Sequence, residues 1–66
     1  MRVRVNGEEQ DVAEARPVAE LLTGWGFVPK AVAVAVNREV VPRSKLGELY
    51  LREGDEVEVI RAVGGG

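Results

Sequence analysis

The sequence predicts an α+β fold in which one helix lies on one face of a mixed sheet. The chain of 66 residues is long enough for one domain and one thin core. Several valine-rich segments alternate with polar residues, as half-buried strands do, and β-branched side chains favour strands. One segment has helical spacing. These observations predict a sheet of about four to five strands with one main helix.

A hairpin is predicted at the start of the chain. In residues 1–5 the apolar side chains alternate with Arg2 and Arg4, which is typical of a half-buried strand. Asn6-Gly7 is a strong hairpin signal because both residues accept a positive φ. Residues 8–12 are then the returning strand, and their polar composition suits the edge of a sheet.

The main helix is predicted to follow Pro17. Proline suits the first helical position, where the missing N–H costs nothing. One apolar stripe follows at helical spacing, formed by Val18, Leu21, Leu22 and Trp25. Gly24 and Gly26 are expected to end the helix. Trp25 and Phe27 are interpreted as core residues rather than as a stacking platform for a ligand.

Residues 31–36 are predicted to form a strand with two different faces. Its valines share the face that meets the helix, while its alanines share a flat face that is either solvated or approached closely by a partner. Residues 37–39 then form a turn. A short strand at residues 40–41 is ended by Pro42.

The last third of the chain is predicted to be a loop followed by a strand. Residues 43–53 are irregular or form a helical turn, held down by Leu46, Leu49 and Leu51. Gly54-Asp55 turns the chain into a strand over residues 56–63. In that strand Ile60 falls on the side of the glutamates, so either a bulge turns it inward or it is an exposed contact for a partner. We favour the partner contact.

Composition excludes several classes of function. The chain has no Cys and no His, which removes thiolate and imidazole metal sites, redox pairs and the usual nucleophile systems. Its net charge is -2 with interleaved signs, so no basic stripe for nucleic acid exists. No apolar segment approaches the roughly 20 residues of a membrane span. We therefore expect a monomeric cytoplasmic protein without a metal site, a nucleic-acid partner or an activity of its own.

The glycines at the end of the sequence are the feature that carries chemistry. Gly64, Gly65 and Gly66 follow the last strand, and such an end is often simply frayed or a remnant of cloning. The alternative is functional, because a partner can enclose a glycine backbone in a narrow channel. A terminal carboxylate is ionised at neutral pH and unreactive, so a partner must activate it.

The sequence resembles the ThiS family, the small ubiquitin-like β-grasp sulfur carriers of thiamin biosynthesis. The resemblance covers the whole chain. It is carried by ordered stretches, namely Val5-Asn6-Gly7-Glu8, Val18-Ala19-Glu20-Leu21-Leu22, Val34-Ala35-Val36-Asn37, Val40-Val41-Pro42-Arg43, Gly54-Asp55-Glu56-Val57-Glu58-Val59 and Gly65-Gly66. Two residues depart from the family pattern: Pro17 replaces a frequent hydroxyl residue, and Gly64 adds a third glycine.

The resemblance implies a specific chemistry at Gly66. An E1-like adenylating enzyme of the ThiF type would use ATP and magnesium to adenylate the Gly66 carboxylate. A persulfide from the sulfur-mobilising machinery would then convert it to a thiocarboxylate, and thiazole synthase (ThiG type) would take up the sulfur. The chain would be a co-substrate and not an enzyme, with no cofactor bound.

The resemblance also implies which residues meet the partners. Residues 1–63 would form the β-grasp domain and residues 64–66 a flexible tail. Gly64 and Gly65 would thread into the partner, and the adjacent surface of Ile60, Arg61, Ala62 and Val63 would dock on it. Three alternatives stay open: a carrier for molybdopterin or tRNA thiolation, a protein modifier attached to lysines, and a passive β-grasp interaction module.

Overall fold

The computed structural model describes residues 1–61. The predicted tail at residues 64–66, together with Ala62 and Val63, lies outside the described residues. The elements in chain order are β1 (Arg2–Val5), β2 (Glu8–Asp11), α1 (Val18–Gly24), a 3₁₀ helix (Pro29–Ala31), β3 (Val32–Val36), β4 (Glu39–Val41), a second 3₁₀ helix (Arg43–Lys45) and β5 (Glu56–Arg61).

The strands form one mixed five-stranded sheet. Their order is β2-β1-β5-β3-β4. β1 and β5 are parallel, whereas the other neighbouring pairs are antiparallel. The α+β class and the strand number expected from the sequence are thus confirmed. β5 occupies the centre of the sheet, between β1 and β3. The described part of the chain ends in this strand.

Two tight turns connect the hairpins. The first lies where the sequence predicts it, and the second is one residue shorter than predicted because Glu39 already belongs to β4. Asn6 and Gly7 have φ angles of 51° and 84°, the left-handed values that a two-residue hairpin turn requires. Asn37 and Arg38 have φ angles of 50° and 69°. The second turn therefore holds an arginine in the left-handed region, which costs a residue with a side chain about 1 kcal/mol.

Helix α1 begins one residue later than predicted. Pro17 has an extended ψ of 150° and is the N-cap rather than the first helical residue. The reason is that Pro17 forms an antiparallel bridge with Tyr50. The next residue donates its N–H to the carbonyl of Leu49 at 2.8 Å. The start of the helix is thereby tied to the loop before β5.

The end of α1 is set by Gly26 rather than by Gly24, which is the last helical residue. Gly26 has a φ of 90°, and its N–H donates to the Thr23 carbonyl at 3.1 Å. The N–H of Phe27 donates to the Leu22 carbonyl at 2.9 Å. This pair of bonds is the Schellman arrangement that a left-handed glycine permits.

The core lies between α1 and one face of the sheet. Its buried members are all apolar: Val3, Val5, Val12, Val18, Leu22, Val32, Val34, Leu46, Leu51, Val57 and Val59. Each such side chain contributes roughly 1.5–3 kcal/mol through its removal from water. Trp25 and Phe27 are partly buried and pack against this core, as predicted. The valine face of β3 therefore meets the helix.

Two further sequence predictions can be compared with the structure. Ala31 was expected in a strand, but it lies in the first 3₁₀ helix, where its N–H donates to the Val28 carbonyl at 2.8 Å. Pro29 opens that turn and delays the strand to Val32. The loop at residues 43–53 is confirmed as irregular with one 3₁₀ turn, and Leu46 and Leu51 hold it to the core.

Candidate docking face beside the end of the central strand

Ile60 is exposed near the end of the central strand. β3 and β5 pair residue for residue from Val36–Val57 to Val32–Arg61, so no bulge interrupts β5. The side chain of Ile60 is 66% exposed. The bulge that would have turned it inward is therefore ruled out, and the prediction of an exposed apolar residue is confirmed.

Arg61 faces the other side of the sheet. Strand residues alternate between faces, and Arg61 pairs with the buried Val32. Its exposed side chain therefore belongs to the helix side, opposite Ile60. Of the residues predicted to dock on a partner, the structure places Ile60 and Arg61 on opposite faces. Gly66 and the other predicted contacts (Ala62, Val63, Gly64 and Gly65) lie outside the described residues.

Four apolar side chains meet on the face of the sheet opposite the helix. We call this group the outer patch: Ala33, Ala35, Val40 and Ile60. Ala33 pairs directly with Ile60, and Ala35 pairs directly with Val40. Val40 is 78% exposed. Exposed apolar groups of this kind are typical of a surface that a partner covers.

The sequence predicts part of this patch. The alanine face and Ile60 were identified separately, and the register of β3 with β5 brings them together. Val40 was not identified as a site residue. Its position depends on the pairing of β4 with β3, and the residue pattern of so short a strand does not show which face each valine occupies.

Two glutamates border the outer patch. Glu58 pairs with Ala35, and Glu56 pairs with Arg4 across the parallel ladder. Within residues 1–61, neither glutamate takes part in an ion pair at 4.0 Å or less. An exposed apolar patch with an acidic border fits a partner surface that is apolar in its centre and basic at its rim.

The other acidic residues near β5 have structural partners. A carboxylate oxygen of Glu53 accepts the backbone N–H of Arg2 at 3.0 Å. The carboxylate of Asp55 accepts from the backbone N–H of Arg52 at 2.8 Å and from the side-chain amide of Asn37 at 3.0 Å. These two carboxylates shape the turn before β5. The acidic residues around the start of β5 thus divide into a turn pair, Glu53 and Asp55, and the border of the outer patch, Glu56 and Glu58.

Arg2 is neutralised at the far edge of the same face. Its guanidinium contacts Asp11 at 3.1 Å and Glu9 at 3.4 Å. The hydrogen bond and charge of Asp11 raise the pKa of Arg2 above its ordinary value. Such exposed pairs contribute little to stability. Arg4 lies on the same face, as the ladder partner of Glu56. Glu58, two residues before Ile60 in β5, is therefore the acidic residue nearer to Ile60.

Other kinds of site have little support in the described part of the chain. Residues 1–61 contain no group of three or more carboxylates that could hold a metal ion. Their helices are too short and too polar to cross a bilayer. An open depression of about 660 Å³ lies beside β4, between Val36, Pro42 and Leu49. It sits at the end of the sheet where β5 begins, because Val36 pairs with Val57.

The family is shown by a match along almost the whole sequence. The model of the ThiS family matches residues 3–66, which include the diglycine end and every strand except the first residue of β1. The chain belongs to the ThiS family. The family resemblance inferred from the sequence is therefore confirmed.

Similar proteins include a carrier, a solved structure and an enzyme. The sulfur carrier protein ThiS of Thermus thermophilus is 36% identical over 64 residues, covering 97% of this chain and 98% of that protein. The crystal structure of a thiamine biosynthesis protein (ThiS) from Geobacter metallireducens has a TM-score of 0.82 at 35% identity and full coverage of both chains. That similarity confirms the ubiquitin-like β-grasp fold.

A larger relative is named as an enzyme. The thiazole synthase of Magnetococcus marinus is 39% identical over all 66 residues of this chain. The chain spans about a fifth of the length of that protein, since the match covers 20% of it. A ThiS-like segment thus occurs within the same polypeptide as a thiazole synthase in that organism.

Proposed function

We propose that this chain carries sulfur on the carboxyl group of Gly66 and delivers it to thiazole formation in thiamin biosynthesis. The observation that carries the proposal is the family match, which extends to Gly66. Composition supports it, because a chain without cysteine has no thiol on which to hold a transferable sulfur. The carbonyl carbon of Gly66 is then the carrier atom.

The proposed chemistry begins with activation by an E1-like adenylating enzyme. A carboxylate oxygen of Gly66 attacks the α-phosphorus of magnesium-bound ATP, and pyrophosphate leaves. The product is an acyl-adenylate, in which AMP is the leaving group. This step overcomes the low reactivity of an ionised carboxylate.

Sulfur transfer follows from a persulfide donor. The terminal sulfur of a protein persulfide attacks the Gly66 carbonyl carbon and displaces AMP, which forms an acyl disulfide. A thiolate of the sulfur-mobilising machinery then attacks the sulfur of the acyl disulfide that belongs to the donor protein, not the sulfur bonded to the Gly66 carbonyl carbon. The thiolate and the donor sulfur are oxidised to a disulfide, and the thiocarboxylate of Gly66 is released. The chain is a co-substrate in this sequence, and both catalysis and the use of ATP belong to its partners.

We further propose that the outer patch docks on these partners. The patch extends from the central strand β5 across β3 to the edge strand β4. Gly66 stands five residues after Arg61, the last residue of β5. Ile60 would be the anchor of the patch, with Glu56 and Glu58 facing a basic rim. Arg61 faces the opposite side of the sheet and would contact a partner there.

Thiazole synthase is the acceptor that the comparisons favour. A protein named thiazole synthase contains a segment similar to this whole chain, and a covalent link between two domains raises the effective concentration at which they meet. Carriers for molybdopterin or tRNA thiolation remain the closest alternatives in chemistry. A protein modifier and a passive interaction module are the alternatives of other classes.

Intact-protein mass spectrometry tests the carrier proposal. The chain is incubated with ATP, magnesium, a persulfide donor with a reducing thiol, and the adenylating enzyme of the same organism. We expect a mass gain equal to the replacement of one oxygen by sulfur, located at Gly66 by fragmentation. A matched chain that lacks Gly65 and Gly66 should gain no mass.

Further measurements on the same chain separate the alternatives. Thiocarboxylate formation followed by sulfur transfer to thiazole synthase, and to neither a molybdopterin nor a tRNA acceptor, supports the full proposal. Higher-mass adducts on lysines in a lysate with ATP would indicate a protein modifier. If the chain gains neither adenylate nor sulfur while the same enzyme loads a known carrier, the proposal is contradicted. The chain would then be an interaction module.

A further inference from the structure

The side chain of Asn6 takes the place of a missing strand residue beside β5. β1 ends at Val5, whose partner in the parallel ladder is Val57. β5 continues past this point to Arg61. On the β1 side, the remaining part of β5 would thus lose its ladder where the chain turns at Asn6-Gly7.

Asn6 supplies the missing hydrogen bonds with both its backbone and its side chain. Its backbone N–H donates to the Val57 carbonyl at 2.9 Å. Its side-chain Oδ1 accepts the N–H of Val59 at 2.8 Å, and its Nδ2 donates to the Val59 carbonyl at 3.2 Å. The carboxamide thus imitates a peptide group of a neighbouring strand and satisfies both polar groups of Val59.

The conformation of Asn6 makes this contact possible. Its φ of 51° lies in the left-handed region, which asparagine tolerates better than most residues. One residue therefore makes the turn and extends the ladder of the central strand. This second role is independent of the turn, because glycine would make the same turn without the carboxamide.

Asn37 provides an internal comparison at the other end of β5. It has nearly the same φ of 50° and also occupies the first position of its hairpin turn. Its Oδ1 accepts the N–H of Glu56 at 3.0 Å, and its Nδ2 donates to Asp55 at 3.0 Å. Asn37 therefore secures the start of β5, whereas Asn6 secures the part that leads to Gly66.

We propose that Asn6 is a positioning residue that fixes the direction in which β5 presents the sulfur-carrying end to the adenylating enzyme. The inference rests on the proposed function. Val59 stands seven residues before Gly66, and its backbone is held on one side by β3 and on the other by Asn6. A β5 end that is held on both sides spends a larger fraction of time in the orientation that the enzyme accepts.

The test compares Asn6→Gly with Asn37→Gly. Both variants keep a residue that adopts a positive φ freely, so both turns are preserved. Amide exchange of Val59 should accelerate about tenfold or more in Asn6→Gly, because its hydrogen-bond acceptor is removed. The Arg4 amide, which donates to Asp55 at 2.9 Å, should exchange as in the unmodified chain.

Adenylation kinetics then distinguish positioning from stability. In Asn6→Gly we expect kcat to fall about fivefold while KM changes by less than about twofold, because the outer patch still docks and fewer chains present Gly66 correctly. Asn37→Gly should retain both constants. Asn6→Asp keeps the acceptor for the Val59 N–H and accepts the left-handed conformation, so it should recover part of kcat.

Three outcomes would overturn the inference. Unchanged kcat in Asn6→Gly with fast exchange at Val59 would show that the direction of β5 does not matter. Equal losses of kcat in the two glycine variants, in proportion to their thermal unfolding temperatures, would show a merely structural role. Failure of the unmodified chain to become adenylated would instead contradict the proposed function, and the inference with it.

Discussion

The two faces of the sheet differ in what their side chains do. On the helix side, valines of the three middle strands are buried against Leu22 of α1. On the opposite side, the outer patch is made of small or β-branched apolar residues beside Glu56 and Glu58, of which Ala35 is half-buried and the others are exposed. β3 and β5 contribute side chains to both groups, because successive side chains point to opposite sides of a sheet, and the edge strand β4 adds Val40 to the outer patch.

The helix-side face of the sheet therefore stabilises the fold, whereas the opposite face is available for binding a partner. A domain of 66 residues has one thin core, and it cannot place binding residues there without losing stability. Within residues 1–61 the outer-patch side chains belong to neither the core nor the groups packed against it, so these positions can carry residues that suit a partner. Substitutions on the two faces should therefore change different measurements.

The largest expected effect is on the helix side. Leu22 is 0% exposed at the centre of the core. Leu22→Ala should lower the free energy of unfolding by about 3 kcal/mol, because it removes buried methyl groups and leaves a cavity. Chemical denaturation measures the change. Adenylation at a temperature where the variant is folded should keep its native rate, and a lost rate in a folded variant would show that the two faces are coupled.

The second effect is on the outer face. Ile60→Thr keeps a β-branched residue in the strand, so stability should change by less than about 0.5 kcal/mol. The Kd for the adenylating enzyme should rise about tenfold, as expected when an apolar anchor is removed from an interface. Titration calorimetry with each protein measures the affinity.

Val28→Thr is the matched control for Ile60→Thr. Val28 is exposed to a similar extent, 61% against 66% for Ile60, and it precedes the first 3₁₀ helix rather than lying on the outer patch. Its substitution should leave the Kd unchanged. Equal affinity losses for both variants, or none for Ile60→Thr, would contradict docking through the outer patch.

Most of the fold follows from local signals in the sequence. Alternating valines, the Asn6-Gly7 turn and the stripe ending near Gly26 each act over a few residues, so a single sequence shows them. Where prediction and structure differ, the ends of helices and strands are shifted by a residue. Pro17 was placed inside the helix because its bridge to Tyr50 is a contact between distant parts of the chain, which no local pattern shows.

The site is less predictable because it depends on strand register. Ile60 was identified from a break in alternation, yet its neighbour Ala33 comes from β3, and Val40 joins the patch through its pairing with Ala35. The second role of Asn6 was invisible for the same reason, since Val59 is 53 residues away in sequence. The glycine end was noticed from composition, and its proposed role came from the family resemblance rather than from any structural argument.

A smaller effect is expected at the turn between β3 and β4, away from both faces. Arg38 has a φ of 69°, whereas the corresponding position of the first turn holds a glycine, Gly7. Arg38→Gly should raise the free energy of unfolding by about 0.5–1 kcal/mol by relieving the left-handed strain. Thermal unfolding measures it, with Gly7→Ala as the converse variant that should destabilise. A lower stability of Arg38→Gly would mean that the Arg38 side chain contributes more than its backbone strain costs.

The smallest effect concerns charge on the outer face. Glu58→Gln removes one negative charge beside Ala35 without changing the shape of the side chain, and Glu8→Gln removes the same charge from β2 at the sheet edge. If Glu58 meets a basic rim, its loss should slow association with the adenylating enzyme about twofold at low salt, with little change in dissociation. Glu8→Gln should leave association nearly unchanged. Stopped-flow association at two salt concentrations decides between them, because the difference should shrink as salt screens the charges. Equal slowing by both variants would assign the effect to net charge and not to the border of the outer patch.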